Sequence, residues 1–289
     1  MTQFNFGAIG TKWQIDIYQP ISSAKEAELL SRIEERIESF DKTYSRFRAD
    51  SLVTKMAKEG GLFQLPADSQ KLFSVYHDVY TRTNGLVTPL VGNILSDAGY
   101  DAQYSLQQKK DLTVAPEWGE IIDFQYPNIQ IKKPAMLDFG AGGKGYLIDL
   151  VAEVIEANGV HSYCIDAGGD ILHKGNTPIR VGLENPDNVE QVIGVYPLQN
   201  RSICGSAGNR RAWADFTHVI NPKTLVSPKH ISAVWVTAKS AFIADIIATA
   251  LFFVEAKTLS DMYSFEYCIV RNDHSVEKST GFVAELFTS

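Results

Sequence analysis

Cysteine is scarce, no export-type leader is visible, and no apolar run is long. The three cysteines, Cys164, Cys204 and Cys268, are scattered, odd in number and form no CxxC pair. This excludes a disulfide-stapled scaffold and a thiolate zinc site, and it predicts buried, reduced thiols. The most apolar stretch, Ala241 to Val254, is interrupted by Asp245 and falls short of the roughly 20 residues that a bilayer-spanning helix needs. The N-terminus, Met1-Thr-Gln-Phe-Asn-Phe-Gly7, has no basic segment leading into an apolar one, so no signal peptide is visible. The expected location is the cytoplasm, unless an exported or lipid-anchored form has had its leader removed. Basic residues are outnumbered, 27 Lys plus Arg against 34 Asp plus Glu, for a net charge of −7. A broad electrostatic footprint for nucleic acid or anionic membrane is therefore absent, although a local basic pocket for a phosphate is compatible with this balance. No repeat, low-complexity tract or Pro/Gly/Ser linker divides the chain. Residues 1–289 read as one domain, or as two lobes sharing a core.

What is present is a mixture of helical and strand periodicity. Trp13, Ile15 and Ile17 alternate with polar residues and predict a strand. Ser23-x-x-Glu26 resembles a capping box opening a helix, whose apolar face carries Ala27, Leu30, Ile33, Ile37 and Phe40. Thr43 to Ser51 reads as a polar, basic and aromatic loop. A second amphipathic helix starts near Asp68, carries Leu72, Phe73, Tyr76, Val79 and Tyr80, and stops at Asn84-Gly85. From Ile121 the chain turns β-rich, with a hairpin expected around Tyr126-Pro127-Asn128. A strand over Met136–Phe139, a glycine loop, a helix from about Tyr146 to Ala157 and a strand from Tyr163 to Asp166 follow. Further strands are expected near Arg180, Val192, Ser202, Val234 and Tyr267–Val270, and a last helix over Ala241–Val254 behind a Ser240 cap. Helices among many short strands predict an α+β fold of mixed, largely antiparallel sheets packed with helices.

Four constellations suggest chemistry. In Asp138-Phe-Gly-Ala-Gly-Gly-Lys-Gly145, small residues surround one lysine between a predicted strand and helix, where backbone N–H groups form a seat for a pyrophosphate. It is not a Walker A loop, because Gly145 follows Lys144 where Ser or Thr is required. Gly140, Gly142 and Gly145 match GxGxxG, and Asp166 ends the next strand, so a dinucleotide site and a tight structural turn are both open. On the all-apolar helix, Asp245 and Thr249 stand one turn apart on one face. A buried carboxylate needs a partner or a cation, and carboxylate, hydroxyl and carbonyl oxygens suit a hard ion such as Mg²⁺. A capping Asp and a Thr bonded back to its own helix would explain the pair equally well. Arg210, Arg211 and His218 near a glycine turn are candidates for phosphate binding and proton transfer. Asp166-Ala-Gly-Gly-Asp170 brackets a glycine turn with two carboxylates.

Taken in order, these segments resemble the FAD:protein FMN transferases, the ApbE family, over nearly the whole chain. Ala8 to Trp13 resembles its N-terminal MGT-type strand entry, and Thr43 to Ser51 its aromatic-basic loop ending in Asp-Ser. Gly85 to Leu90 is similar to the segment lining the flavin pocket. Asp138 to Gly145 resembles the DLGxxxKG motif, Asp166 to Asp170 the xxGGD motif, Cys204 to Arg211 the SGxxRR stretch, His218 to Pro222 the HxxDP motif, and Asp245 to Thr249 the metal-holding D-A-x-x-T helix. The resemblance implies one ApbE-like domain that cleaves the FAD pyrophosphate with Mg²⁺ and transfers FMN to a Ser or Thr of an acceptor protein, releasing AMP. By the same token Asp245, Thr249 and the Ala141 carbonyl would hold Mg²⁺, and His218 would be the base. Asp138, Lys144 and Arg211 would contact FAD, and Ile9, Phe47, Leu86, Val87, Thr88, Val219 and Ile220 would line its site. The chain departs from the pattern at Asn221, where the family has Asp, at Lys223-Thr224-Leu225 for Arg-Thr-Gly, in the looser Gly205-Ser206-Ala207-Gly208 turn, and at Leu86-Val87, where Ala-Phe-Asp is frequent. The same residues would serve an FAD pyrophosphate hydrolase giving FMN and AMP, or a flavin-binding protein without turnover.

Overall fold

The alternation of Trp13, Ile15 and Ile17 produces a strand whose three apolar side chains are buried, as a period of two requires. The computed structural model describes residues 1–109, 111–208 and 212–287. The chain opens with the hairpin β1 (Thr2–Ala8) and β2 (Thr11–Ile17), followed by α1 (Ser23–Tyr44), α2 (Leu52–Glu59), β3 (Gly61–Gln64) and α3 (Ser69–Arg82). Next come α4 (Gly92–Asp97), α5 (Trp118–Ile121), β4 (Ile122–Gln125), β5 (Asn128–Ile131) and α6 (Gly143–Ala157). A β-rich stretch then runs through β6 (Tyr163–Ala167), β7 (Asp170–Lys174), β8 (Ile179–Asn185), β9 (Asn188–Leu198), β10 (Arg201–Ala207), β11 (Ala212–Trp213), β12 (Phe216–Thr217) and β13 (Ile231–Ala238). The chain closes with α7 (Ala241–Ala250), α8 (Lys257–Ser260), β14 (Phe265–Arg271), β15 (Val276–Lys278) and β16 (Glu285–Leu286).

Every ladder among the described residues is antiparallel. The fold is thus α+β, with helices packed on largely antiparallel sheets. The main sheet has eight strands in the order β1-β2-β6-β7-β10-β13-β14-β15. On one face α6 and α7 pack against it and against each other, and α1 packs on α6. This layer and the helices beyond it form the largest apolar core. On the opposite face the small sheet β16-β9-β8 covers Ile171, Ile203 and Trp235 with Leu183, Tyr196 and Leu198, a second core. A third, smaller core joins Ile94, Leu95 and Tyr100 to Trp213 and Ile220.

Several boundaries differ from the sequence reading. Helix α1 is capped by Ser22, whose hydroxyl accepts from the Lys25 amide, and Leu29 rather than Ala27 faces the core. Helix α2 and strands β1 and β3 escape periodicity because each is short or half-exposed. Helix α7 ends at Ala250 rather than Val254. Met136–Phe139 is not a strand; its Asp138 amide donates to the Pro89 carbonyl at 2.7 Å, outside any ladder. Strand β6, which follows α6, pairs antiparallel with β2 and β7, so the GxGxxG segment does not belong to a βαβ unit. All three cysteines are free and buried. Burial pushes the Cys164 thiol up to about 12 and that of Cys268 to about 11, so both stay protonated and unreactive near neutral pH.

Candidate functional site

The ends of the main sheet and the layer of α1, α6 and α7 leave a cleft of about 480 Å³ between them. Its walls come from the β1–β2 turn, the end of α1 and the loop after it, and the segment before α4. The glycine loop, the end of β10, the segment after β12 and helix α7 complete it. The structure brings to this one cleft Ile9, Phe47, Leu86, Val87, Thr88, Asp138, Ala141, Lys144, His218, Val219, Ile220, Asp245 and Thr249. Arg211, the remaining candidate, lies outside the described residues, as does Arg210.

Helix α7 carries the acidic side of the site. It is apolar nearly all round and buried, so Asp245 is 6% exposed. One Asp245 oxygen accepts from the Gly145 amide at 2.8 Å. One turn on, the Thr249 hydroxyl donates to the Ala141 carbonyl at 3.2 Å. Helix α7 is held at its start by Ser240, which accepts from the Ile243 amide, and by Asp149, which accepts from the Ala241 amide at 2.8 Å. Glycine lets α6 approach this closely: a Cβ at Gly145 would stand 2.2 Å from the Ala241 carbonyl oxygen, and one at Gly142 would stand 2.9 Å from Phe242 and Ile246.

The glycine loop is organised by its own amides. Gly140 N–H donates to Asp138 at 2.7 Å, Gly143 N–H to the Phe139 carbonyl at 2.7 Å, and Gly145 N–H to Asp245. Gly142 N–H is shared between the Phe139 carbonyl and the Tyr76 hydroxyl. The expected bed of amides for a pyrophosphate is therefore largely spent on holding the loop. Asp138 is likewise committed, with one oxygen on Gly140 and the other on the buried Arg46 guanidinium. Tyr76 hydroxyl, donating to the Phe139 carbonyl at 2.7 Å and accepting from Gly142, ties α3 to the loop. Burial holds its phenol well above the ordinary value, so it keeps the proton it donates. In the sequence Tyr76 shows only as a core position on α3, because its polar end meets the loop across the tertiary fold. Tyr76→Phe should leave the fold intact but cost about 1–3 kcal/mol of stability for the unsatisfied loop groups. Differential scanning calorimetry measures this; an unchanged melting temperature contradicts the role.

On the sheet side, Lys144 pairs with Asp170 at 2.9 Å, and Asp170 also accepts from the Gly205 amide at 3.1 Å. Burial works against the charge on Lys144, but Asp170 and Asp245 outweigh it and hold its pKa above the ordinary lysine value. His218 follows β12 in a turn in which the Thr217 hydroxyl accepts from the Val219 amide and donates to its carbonyl. The β1–β2 turn puts Ile9 into the cleft at φ 44°, beside Gly10 at φ 75°. A β-branched residue there is strained, and such strain persists where surrounding structure imposes it. Leu225, which stands where the family pattern has glycine, also takes a left-handed φ of 63°. Asn221 accepts from the Lys223 and Thr224 amides at 2.9 and 3.0 Å, so it closes the same turn that an Asp would.

The donors around Asp245 are oxygens, as a hard cation requires. Among the described residues no three His, Cys, Asp or Glu side chains gather, which disfavours a zinc-type centre. One carboxylate, one hydroxyl and one carbonyl fit magnesium, which characteristically takes one or two carboxylates and completes its shell with substrate phosphate and water. The 3.2 Å between Thr249 Oγ1 and the Ala141 oxygen is close to the separation of about 3 Å between adjacent ligands of an octahedral ion.

The chain is similar to known proteins of one family. The model of the ApbE family matches residues 9–267. The FAD:protein FMN transferase of Rhodobacter capsulatus is 27% identical over 218 residues, covering 70% of this chain but 41% of that protein. The enzyme of that name from Escherichia coli strain K12 is 23% identical over 265 residues, covering 84% of this chain and 75% of that one. The chain thus matches less than half of the first relative's length and three quarters of the second's. The crystal structure of the ApbE protein from Thermotoga maritima superposes with a TM-score of 0.84 at 19% identity over 97% of both chains, which establishes the shared fold. With a family match over that span and the fold in agreement, this chain belongs to the ApbE family.

Proposed function

We propose that this chain is an FAD:protein FMN transferase, working as one unit over residues 1–289. Relatives bearing that name support the reading. The observation that carries it is the meeting of the buried Asp245 with the Thr249 hydroxyl and the Ala141 carbonyl at the glycine loop, in a cleft that Lys144 also lines. Asp245, Thr249 and Ala141 would hold Mg²⁺, which when bound supplies positive charge to the pyrophosphate. Lys144, fixed by Asp170, adds a cation on the sheet side. Phe47, Leu86 and Val87 offer an apolar wall to the flavin. The acceptor's Ser or Thr oxygen attacks the phosphorus on the riboflavin side. The bond from that phosphorus to the bridging oxygen breaks, AMP leaves, and the hydroxyl proton passes to the His218 imidazole. FMN becomes a phosphoester of the acceptor.

Incubation with FAD, Mg²⁺ and a reductase-type acceptor bearing a Ser or Thr site tests this. The expected products are AMP and an acceptor heavier by the FMN group, seen by chromatography and mass spectrometry. AMP release without an acceptor would make the protein a hydrolase. A stoichiometric yellow complex that gives no AMP with any acceptor would make it a flavin-binding protein.

A further inference from the structure

Arg46 lines the cleft, yet nothing in the chemistry above uses it. Its side chain is 3% exposed, and its Nε donates to Asp138. Its guanidinium carbon lies 4.1 Å from the centre of the Phe47 ring and 5.0 Å from that of Tyr100, two aromatic residues of the same wall. Its Nη2 is buried and, among the described residues, has no hydrogen-bond partner. A buried cationic N–H without an acceptor costs free energy, and such atoms in a binding cleft call for a ligand or an ordered water.

Two features select the ligand group. Asp138 already balances the charge of Arg46 in a nearly dry site, so a second anion would leave the group with a net buried negative charge. A neutral acceptor fits instead. The guanidinium also lies beside aromatic rings: Phe47 and Tyr104 stack at 4° with centres 5.4 Å apart. This is the part of the cleft suited to a flat ring rather than to a phosphate. A flat ring with neutral carbonyl acceptors on its rim is the isoalloxazine.

We infer that Arg46 reads the flavin: Asp138 fixes its guanidinium, and the Nη2 N–H donates to a carbonyl oxygen on the pyrimidine edge of the isoalloxazine. This deepens the flavin-transfer reading and rests on it. It also gives Asp138 a second task, that of holding a flavin-binding residue in place beside its own hold on Gly140.

The test is binding without Mg²⁺ or acceptor, so that FAD is not consumed. Arg46→Lys keeps a cation for Asp138 but lacks the forked second donor. Titration calorimetry of both proteins with FAD and with ADP, which lacks the flavin, should show FAD bound about tenfold or more weakly by the variant and ADP bound equally by both. Unchanged FAD affinity would mean that Nη2 only meets water, and equal losses for FAD and ADP would place Arg46 on the phosphates or in the fold; either overturns the inference. The unmodified protein supplies a check that does not depend on the variant folding. Sulfur is a poor acceptor, so 2-thio-FAD or 4-thio-FAD should bind about tenfold more weakly than FAD. Equal affinity for all three would also overturn it. Absence of AMP release from FAD sinks the transfer reading but leaves these binding results meaningful, and normal transfer by a protein indifferent to Arg46→Lys sinks only the inference.

Discussion

Replacing Asp245 with asparagine should abolish FMN transfer while leaving a folded protein. The side chain is buried and one of its oxygens accepts from the Gly145 amide. Asparagine keeps a carbonyl acceptor for that amide but removes the negative charge that would hold Mg²⁺. Loss of a metal-stabilised transition state is worth several kcal/mol, so AMP release should fall by about a thousandfold or more. Chelation of the unaltered enzyme should have the same effect, and added Mg²⁺ should restore only the unaltered enzyme. Asp245→Ala is the harsher variant, because it also strands the Gly145 N–H at a cost of about 1–3 kcal/mol. Comparing the two separates the charge from the hydrogen bond. Mg²⁺-dependent turnover by a folded Asp245→Asn protein would defeat the metal assignment.

The second large effect is expected from a single methyl group. Gly145→Ala would place a Cβ 2.2 Å from the Ala241 carbonyl oxygen and 2.6 Å from Asp245 Cβ. Both obstacles belong to α7 and neither is a flexible side-chain end, so α6 and α7 must move apart. Overpacking of this kind costs about 1–3 kcal/mol. It also breaks the Gly145–Asp245 contact, and a displacement of about 1 Å in a reacting geometry is enough for a hundredfold loss of rate. Gly119→Ala is the matched control, since nothing lies within 4 Å of the added carbon. Thermal melts and AMP release on both variants decide the matter. Full activity in Gly145→Ala would show that the close approach of the two helices does not position the site.

Much of the fold was legible because its signals are local. The apolar face of α1, the capped start of α7 and the Tyr126-Pro127 hairpin are each written within a few consecutive turns of chain. Two of the differences concern strands and the partners they find. Met136–Phe139 has the composition of a strand, but β character is a matter of finding a partner, and the partner of the Asp138 amide is a lone carbonyl at Pro89. Strand β1 is half-exposed and exists because β2 pairs with it along its length.

The candidate site divides the same way. Motif order alone collected Asp138, Lys144, His218, Asp245 and Thr249, because each sits in a short segment with its own pattern. What those residues do to one another was not in any segment. Arg46 reaches Asp138, Tyr76 braces Gly142, Asp170 fixes Lys144, and Asp149 caps the helix that carries Asp245. Each of these contacts joins residues that are distant in sequence, and each is set by where packing leaves the backbone. By itself the sequence determined the fold class, the family likeness and the residue types that can carry the chemistry, since these depend on composition, spacing and order. Only the tertiary structure decided that the glycine loop spends its amides on partners within the protein and that Arg46 is left with a buried donor to offer, since hydrogen-bond partners are assigned in space.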